Sequence, residues 1–141
     1  MFVLDNSVSA AWCFADQSNP YTDAVLRALA EGETAVVPAL WRLEIVNSLV
    51  VAERRKKLGP FRAELFLREI QPFRIRVDHV GSTRAFGPIL DLSRRFQRSA
   101  YDAAYLELAI RLKLPLATKD GPLRQAAQSA GVGIFLDIDP A

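Results

Sequence analysis

The 141-residue chain has one cysteine, Cys13, and one histidine, His79. A single cysteine excludes an intramolecular disulfide and a cysteine-based zinc cage. His79 has no nucleophile paired with it, so it reads as structural or exposed, and Cys13 reads as a small packed hydrophobe. There is no glycine-rich phosphate loop and no His-Glu-x-x-His zinc helix. No apolar run approaches the roughly 18 residues that a membrane helix needs. The opening Met1-Phe2-Val3-Leu4-Asp5 lacks a basic stretch and a small-residue cleavage site, so no signal peptide is expected and the expected location is the cytoplasm. Repeats, low-complexity tracts and linkers are also missing, which predicts one domain over residues 1–141.

Half of the residues are hydrophobic and 24% are charged. A chain of this length buries roughly two-thirds of its unfolded surface, enough for a core. The net charge of +2 is too small to argue for nucleic acid by itself. Of the 18 basic residues, 14 are arginine, whose planar fork suits phosphate but equally suits a solvated surface. Arg54-Arg55-Lys56-Lys57 closes a long helical pattern, where cations favour the helix dipole and rival a nucleic-acid patch. Asp137 and Asp139 in the C-terminal tail read as solvated charges.

Short apolar runs alternate with helical stretches. Strands are expected at Phe2 to Leu4, Thr34 to Val37, Ile75 to Val77, Leu116 to Thr118 and Gly133 to Leu136. Asn19-Pro20 opens a helix with a cap and a proline at its first position. Leu40 to Lys57 predicts a long helix stopped at Leu58-Gly59-Pro60, and a further helix runs from about Phe61 to Ile70. A short piece is expected from Ser9 to Phe14. Thr83 to Phe96 predicts a helix kinked at Gly87-Pro88. Ser99 caps the helix from Tyr101 to Leu112, and Pro122 starts one that ends before Gly131. Such alternation implies crossover connections and a parallel sheet.

Four acidic residues fall at the ends of these elements: Asp5, Glu44, Asp102 and Asp120. In an open α/β sheet, ligands bind in the crevice outside the carboxyl ends of the strands. Carboxylates meeting there repel and call for a proton or a hard cation. Each acid also has a plain structural explanation. Asp5 can make an Asx-turn or cap the helix that follows. Glu44 shares a helical face with Leu40, Trp41, Asn47, Ser48 and Val51, and can reach outward from its rim. Asp102, three residues after Ser99, fits a capping box. Asp120 can cap the helix beginning at Pro122, while Thr118 adds a hydroxyl at the end of its strand.

The order Leu4-Asp5-Asn6-Ser7-Val8, Glu44 with Asn47, Tyr101-Asp102-Ala103-Ala104-Tyr105 and Leu116-Ala117-Thr118-Lys119-Asp120 resembles the PIN domain. In length the chain is similar to VapC-type toxins of toxin–antitoxin pairs, and the resemblance covers essentially the whole chain. It implies a three-layer α/β/α sandwich around a parallel sheet of about five strands. It further implies a metal-dependent endoribonuclease using Mg²⁺, with Mn²⁺ able to substitute. Asp5, Glu44, Asp102 and Asp120 would be the acidic cluster, with Ser7, Thr118 and Asn47 in support. Asp5 and Asp102 are the first choices as direct ligands, and Glu44 and Asp120 would serve a second ion or a water. A homodimer, an RNA substrate and an inhibitory antitoxin are implied as well. Two rivals stand beside this assignment. A receiver domain would need Asp78 as phosphoacceptor and a second acid after the first strand, and only Asp5 is there. A PIN-like module that binds without cutting would need no acids, and all four are present.

Overall fold

A computed structural model describes residues 1–137; Asp139 lies outside them. The elements run β1 (Phe2–Leu4), α1 (Asn6–Ala11), α2 (Pro20–Ala30), β2 (Thr34–Pro38), α3 (Leu40–Arg54), α4 (Pro60–Ile70), β3 (Arg74–Asp78), α5 (Leu90–Phe96), α6 (Ala100–Leu112), β4 (Leu116–Ala117) and α7 (Gly121–Ser129). The four strands form one sheet in the order β3-β2-β1-β4, and every pairing is parallel. Parallel neighbours need crossovers, and the helices supply them on the faces of the sheet. Phe2, Val3 and Leu4 are all fully buried, as a central strand covered on both faces requires.

The fifth strand expected at Gly133 to Leu136 shrinks to a parallel bridge between Leu116 and Ile134. Leu116 N–H donates to the Gly133 carbonyl at 2.9 Å, and Phe135 N–H donates to the Leu116 carbonyl at 2.9 Å. Extension stops there because Leu136 and Asp137 take φ of 61° and 29°, outside the β region. Phe135 is held all the same: its ring stacks on Phe2 at 3.9 Å between centroids, and its carbonyl accepts from the buried Tyr21 hydroxyl.

The helix expected over Thr83 to Phe96 is built in three pieces. A 3₁₀ turn at Gly81–Arg84 leads into a π turn at Ala85–Ile89, which runs on into α5. Pro88 lies inside the π turn. It has no N–H, and its ring would strike the carbonyl four residues back in an α-helix, so a wider turn accommodates it.

A charged network, not foreseen in the sequence, ties this region down. Glu107 on α6 is 3% exposed. It accepts from Arg84 Nε and, at 2.7 Å, from Arg111 Nε. Arg111 also grips both carboxylate oxygens of Asp78, at 3.2 and 2.7 Å. Gly81 N–H donates to Asp78 Oδ2 at 2.9 Å, and a Cβ on Gly81 would come within 3.1 Å of that oxygen. The end of β3, the 3₁₀ turn and α6 are thereby fastened together.

Candidate active site

β1 connects to β2 on one side of it and lies against β4 on the other. The chain therefore changes direction across the sheet between β1 and β4, the switch point where open α/β sheets bind ligands. Leu4 pairs with Ala117, so the next residues, Asp5 and Thr118, leave the sheet side by side.

Asp5 occupies the residue before α1, yet its side chain makes no capping hydrogen bond. The carboxylate turns instead into the crevice. Its Oδ2 accepts from Ser7 Oγ at 2.6 Å and from Thr118 Oγ1 at 2.8 Å. Both hydroxyls are themselves oriented by main-chain amides. Lys119 N–H donates to Ser7 Oγ at 2.9 Å, and Asp120 N–H donates to Thr118 Oγ1 at 3.1 Å. With an amide occupying a lone pair of each oxygen, the hydroxyl protons point at Asp5. Asp5 is only 6% exposed, and burial pushes its pKa up to about 6. The two hydroxyls oppose that rise, and the charges of Asp102 and Asp120 add to it.

Glu44, half-buried on α3, accepts a 2.5 Å hydrogen bond from the Tyr105 hydroxyl of α6. Burial raises its pKa, Tyr105 counters, and Asp5 and Asp102 raise it further. The core stripe of α3 is Trp41, Ile45, Leu49 and Ala52. Of the residues expected to share a face with Glu44, only Trp41 belongs to that stripe. Glu44 lines a groove with Asn6, Leu40, Leu43, Asn47, Ser48 and Tyr101. Asn47 is exposed there, and among the described residues no hydrogen bond joins it to the acids.

Asp102 settles between its two explanations. Ser99 Oγ accepts from Asp102 N–H at 3.1 Å, which caps α6. Among the described residues the reciprocal bond from the Asp102 carboxylate is not made, and that carboxylate carries no hydrogen bond. Its pKa is raised by burial and then by Asp120, against the pull of Arg98. Asp120 does cap: its Oδ1 accepts from Leu123 N–H at 3.1 Å at the start of α7.

The four acids thus lie within electrostatic reach of Asp5 or of one another. Among the described residues, no three His, Cys, Asp or Glu side chains close on a single point as metal ligands would. The donor set itself is all hard oxygen, carboxylates backed by hydroxyls, and suits Mg²⁺ or Mn²⁺ far better than a soft metal. Tyr105 and the amide of Lys119 join the site without any signal in the sequence that marks them as members. Tyr105 stood in a quoted motif, but only the fold brings it to Glu44, 61 residues earlier.

The remaining candidates fall elsewhere. His79 is exposed and Cys13 is buried in the core. Asp78, the phosphoacceptor of the receiver alternative, is engaged by Arg111 and Gly81 and is not free to take a phosphoryl group. No helix among the described residues is long and apolar enough to cross a membrane.

The family described as the PIN domain matches residues 2–128. No curated protein matches the chain in sequence. Among solved structures, the crystal structure of FitAcB from Neisseria gonorrhoeae is similar, with a TM-score of 0.64 and 19% identity. The likeness covers 99% of this chain and 98% of that one. At such identity it speaks for the fold.

Proposed function

The chain belongs to the PIN domain family, and from that membership we propose that it is a divalent-metal-dependent endoribonuclease, the toxin of a toxin–antitoxin pair. The observation that carries the proposal is the seat of Asp5: a buried carboxylate at the switch point, aimed by two amide-oriented hydroxyls, with the charges of Asp102 and Asp120 within electrostatic reach and Glu44 and Asp102 themselves pushed up by burial and neighbouring acids. A protein gains nothing from gathering like charges in a low-dielectric crevice unless a cation relieves them. The toxin role rests on the resemblance of the motif order to VapC-type toxins.

Asp5 and Asp102 would hold the ion, with Glu44 and Asp120 completing the set or orienting water. Asp120 keeps Oδ2 for this, because Oδ1 caps α7. When bound, Mg²⁺ or Mn²⁺ supplies Lewis acidity, making a water a stronger acid and offsetting charge that gathers on the phosphate. Ser7 and Thr118 fix one oxygen of Asp5, so that Oδ1 is presented outward. Tyr105 fixes one oxygen of Glu44 and leaves the other toward the crevice. Asn47 lines the same groove and can contact the substrate strand. Residues 1–141 act as one domain in this proposal.

The groove beside Glu44 is the proposed seat of an antitoxin helix. Leu43 and Tyr101, 73% and 65% exposed, offer apolar anchors at its rim. An Arg or Lys of the antitoxin would reach the carboxylates and replace the cation. Exposed apolar side chains such as Phe86 and Leu90 are offered for a homodimer. The deciding experiment is cleavage of total RNA with Mg²⁺ or Mn²⁺ and with EDTA. Cleavage should require the metal and vanish in Asp5→Asn. Undiminished cleavage in chelator removes the metal mechanism, and no cleavage under any metal favours a module that binds without cutting.

A further inference from the structure

A second groove opens between the end of α5 and one face of α7. It has a volume of about 370 Å³ and is lined by Arg95, Gln97 and Arg98 on one wall and Pro122, Gln125 and Ser129 on the other. Pro122 is two residues from Asp120, and Arg98 precedes the Ser99 cap of the helix that carries Asp102. Arg98 is also within electrostatic reach of Asp102, so the groove adjoins the acidic site.

Arg98 is built in. Gln97 ends α5 in the left-handed conformation, with φ of 52°. Arg98 N–H then donates to the Ser93 carbonyl at 3.1 Å, and the Arg98 carbonyl accepts from Ser93 Oγ. Its Nε is tied to the Gln97 carbonyl at 3.0 Å. The guanidinium of Arg95 lies over the Phe96 ring at 4.9 Å from its centroid. Among the described residues neither arginine forms an ion pair. By contrast, Arg84 and Arg111 are consumed by Glu107 and Asp78. Two guanidinium groups outside any ion pair, with Arg98 within electrostatic reach of Asp102, suit an anion that is neutralised at one point and runs on to the next.

Resting on the ribonuclease reading, we propose that this groove is a phosphate subsite for single-stranded RNA. Arg98 takes the phosphate next to the one cleaved, and Arg95 takes one further out. Gln97, Gln125 and Ser129 offer hydrogen bonds to sugar or base edges between them. The occupant is one strand, because Arg95 and Arg98 lie along a single groove that adjoins the acidic crevice where that strand must start.

The test uses the full chain carrying Asp5→Asn, which binds without cutting. A labelled single-stranded RNA is titrated by fluorescence anisotropy over a salt series, with and without Arg95→Ala/Arg98→Ala. The exposed pair Arg27→Ala/Arg68→Ala serves as the charge-matched control, and melting confirms that each variant is folded. Each phosphate contact on a single strand contributes about 0.7 to the slope of log K against log salt. The groove pair should lower that slope by about 1.4 and weaken binding at least about tenfold at 0.1 M salt, with the control close to its parent. Equal losses in both pairs, or none in the groove pair, overturn the subsite. Wild-type cleavage is measured beside it. If the wild type cuts RNA and the groove pair binds like its parent, only the subsite fails. If the wild type neither cuts nor binds RNA in Mg²⁺, the ribonuclease reading fails and the subsite with it.

Discussion

Replacing Asp5 with asparagine should make the metal-free protein more stable at neutral pH while abolishing activity. Burial raises the Asp5 pKa from 3.8 to about 6. The folded protein then holds this proton more tightly than the unfolded chain does. Stability from this group is greatest below the unfolded value of 3.8 and falls as pH rises through about 6. At about 1.4 kcal/mol per pKa unit, the ionised carboxylate costs the fold about 3 kcal/mol above that window. Asparagine removes the charge and keeps the shape. Its carbonyl still accepts from Ser7 and Thr118, but as a neutral acceptor it loses about 1 kcal/mol of hydrogen-bond strength. The net gain is about 2 kcal/mol at pH 8, or roughly 6–10 °C in melting temperature for a chain of this size. By pH 4 the advantage should largely disappear, because the wild-type carboxyl is then protonated when folded. The assay is thermal melting in EDTA at pH 4, 6 and 8, on preparations also tested for RNA cleavage. Adding Mg²⁺ should raise the wild-type melting temperature and leave the variant unchanged. A variant that melts at or below the wild type at pH 8 would refute the argument that Asp5 is held ionised at a cost. Full activity in the variant would reduce Asp5 to a turn residue.

Three other substitutions separate the roles of neighbouring groups. Asp102→Asn should abolish turnover and leave melting within about 1 kcal/mol of wild type, since no reciprocal cap is lost; a destabilised but active variant would restore the capping explanation. Tyr105→Phe deletes the donor to Glu44, a hydrogen bond to a charged group of about 1.5–3 kcal/mol, so kcat should fall about tenfold or more, and unchanged kcat would detach Tyr105 from the site. Glu107→Ala removes the buried acceptor that Arg84 and Arg111 share and should cost about 1–3 kcal/mol in denaturant unfolding, because Arg84 is 40% exposed and Arg111 keeps Asp78. A loss under 1 kcal/mol would mean that Asp78 suffices for Arg111 and solvent for Arg84.

The places where the sequence was informative share one trait: their cause is local. A short apolar run followed by Asp5, or a Pro122 behind Asp120, carries strand end and helix start within a few residues. The cap at Asp120 and the cap at Ser99 were both legible on that basis, and both are formed. Local pattern could not say whether the Asp102 carboxylate closes a capping box or is left open, because either choice fits the same four residues. It misplaced the face of α3, since Leu40, Trp41 and Val51 looked like one stripe while the sheet selects Trp41, Ile45, Leu49 and Ala52. It overextended the last strand, where two residues with positive φ stop the pairing. Tyr105 and Glu107 were invisible as functional groups for one reason. Glu44 lies 61 residues from Tyr105, and Glu107 is buried against Arg111 one turn along its own helix and Arg84 from the turn 23 residues earlier.

The hydrogen bond from Thr118 to Asp5 spans 113 residues. A ribosome delivers the chain from its N-terminus, at about 5–20 residues per second. Asp5 therefore leaves the exit early and waits, with one of its two hydroxyl supports not yet made. β4 must enter the sheet against β1 before that carboxylate is aimed, and contacts of such separation form late because loop closure precedes them. Truncated products that end before Thr118 lack the seat altogether. On the proposed ribonuclease reading, no activity begins before the segment carrying Thr118 has emerged and β4 has paired with β1.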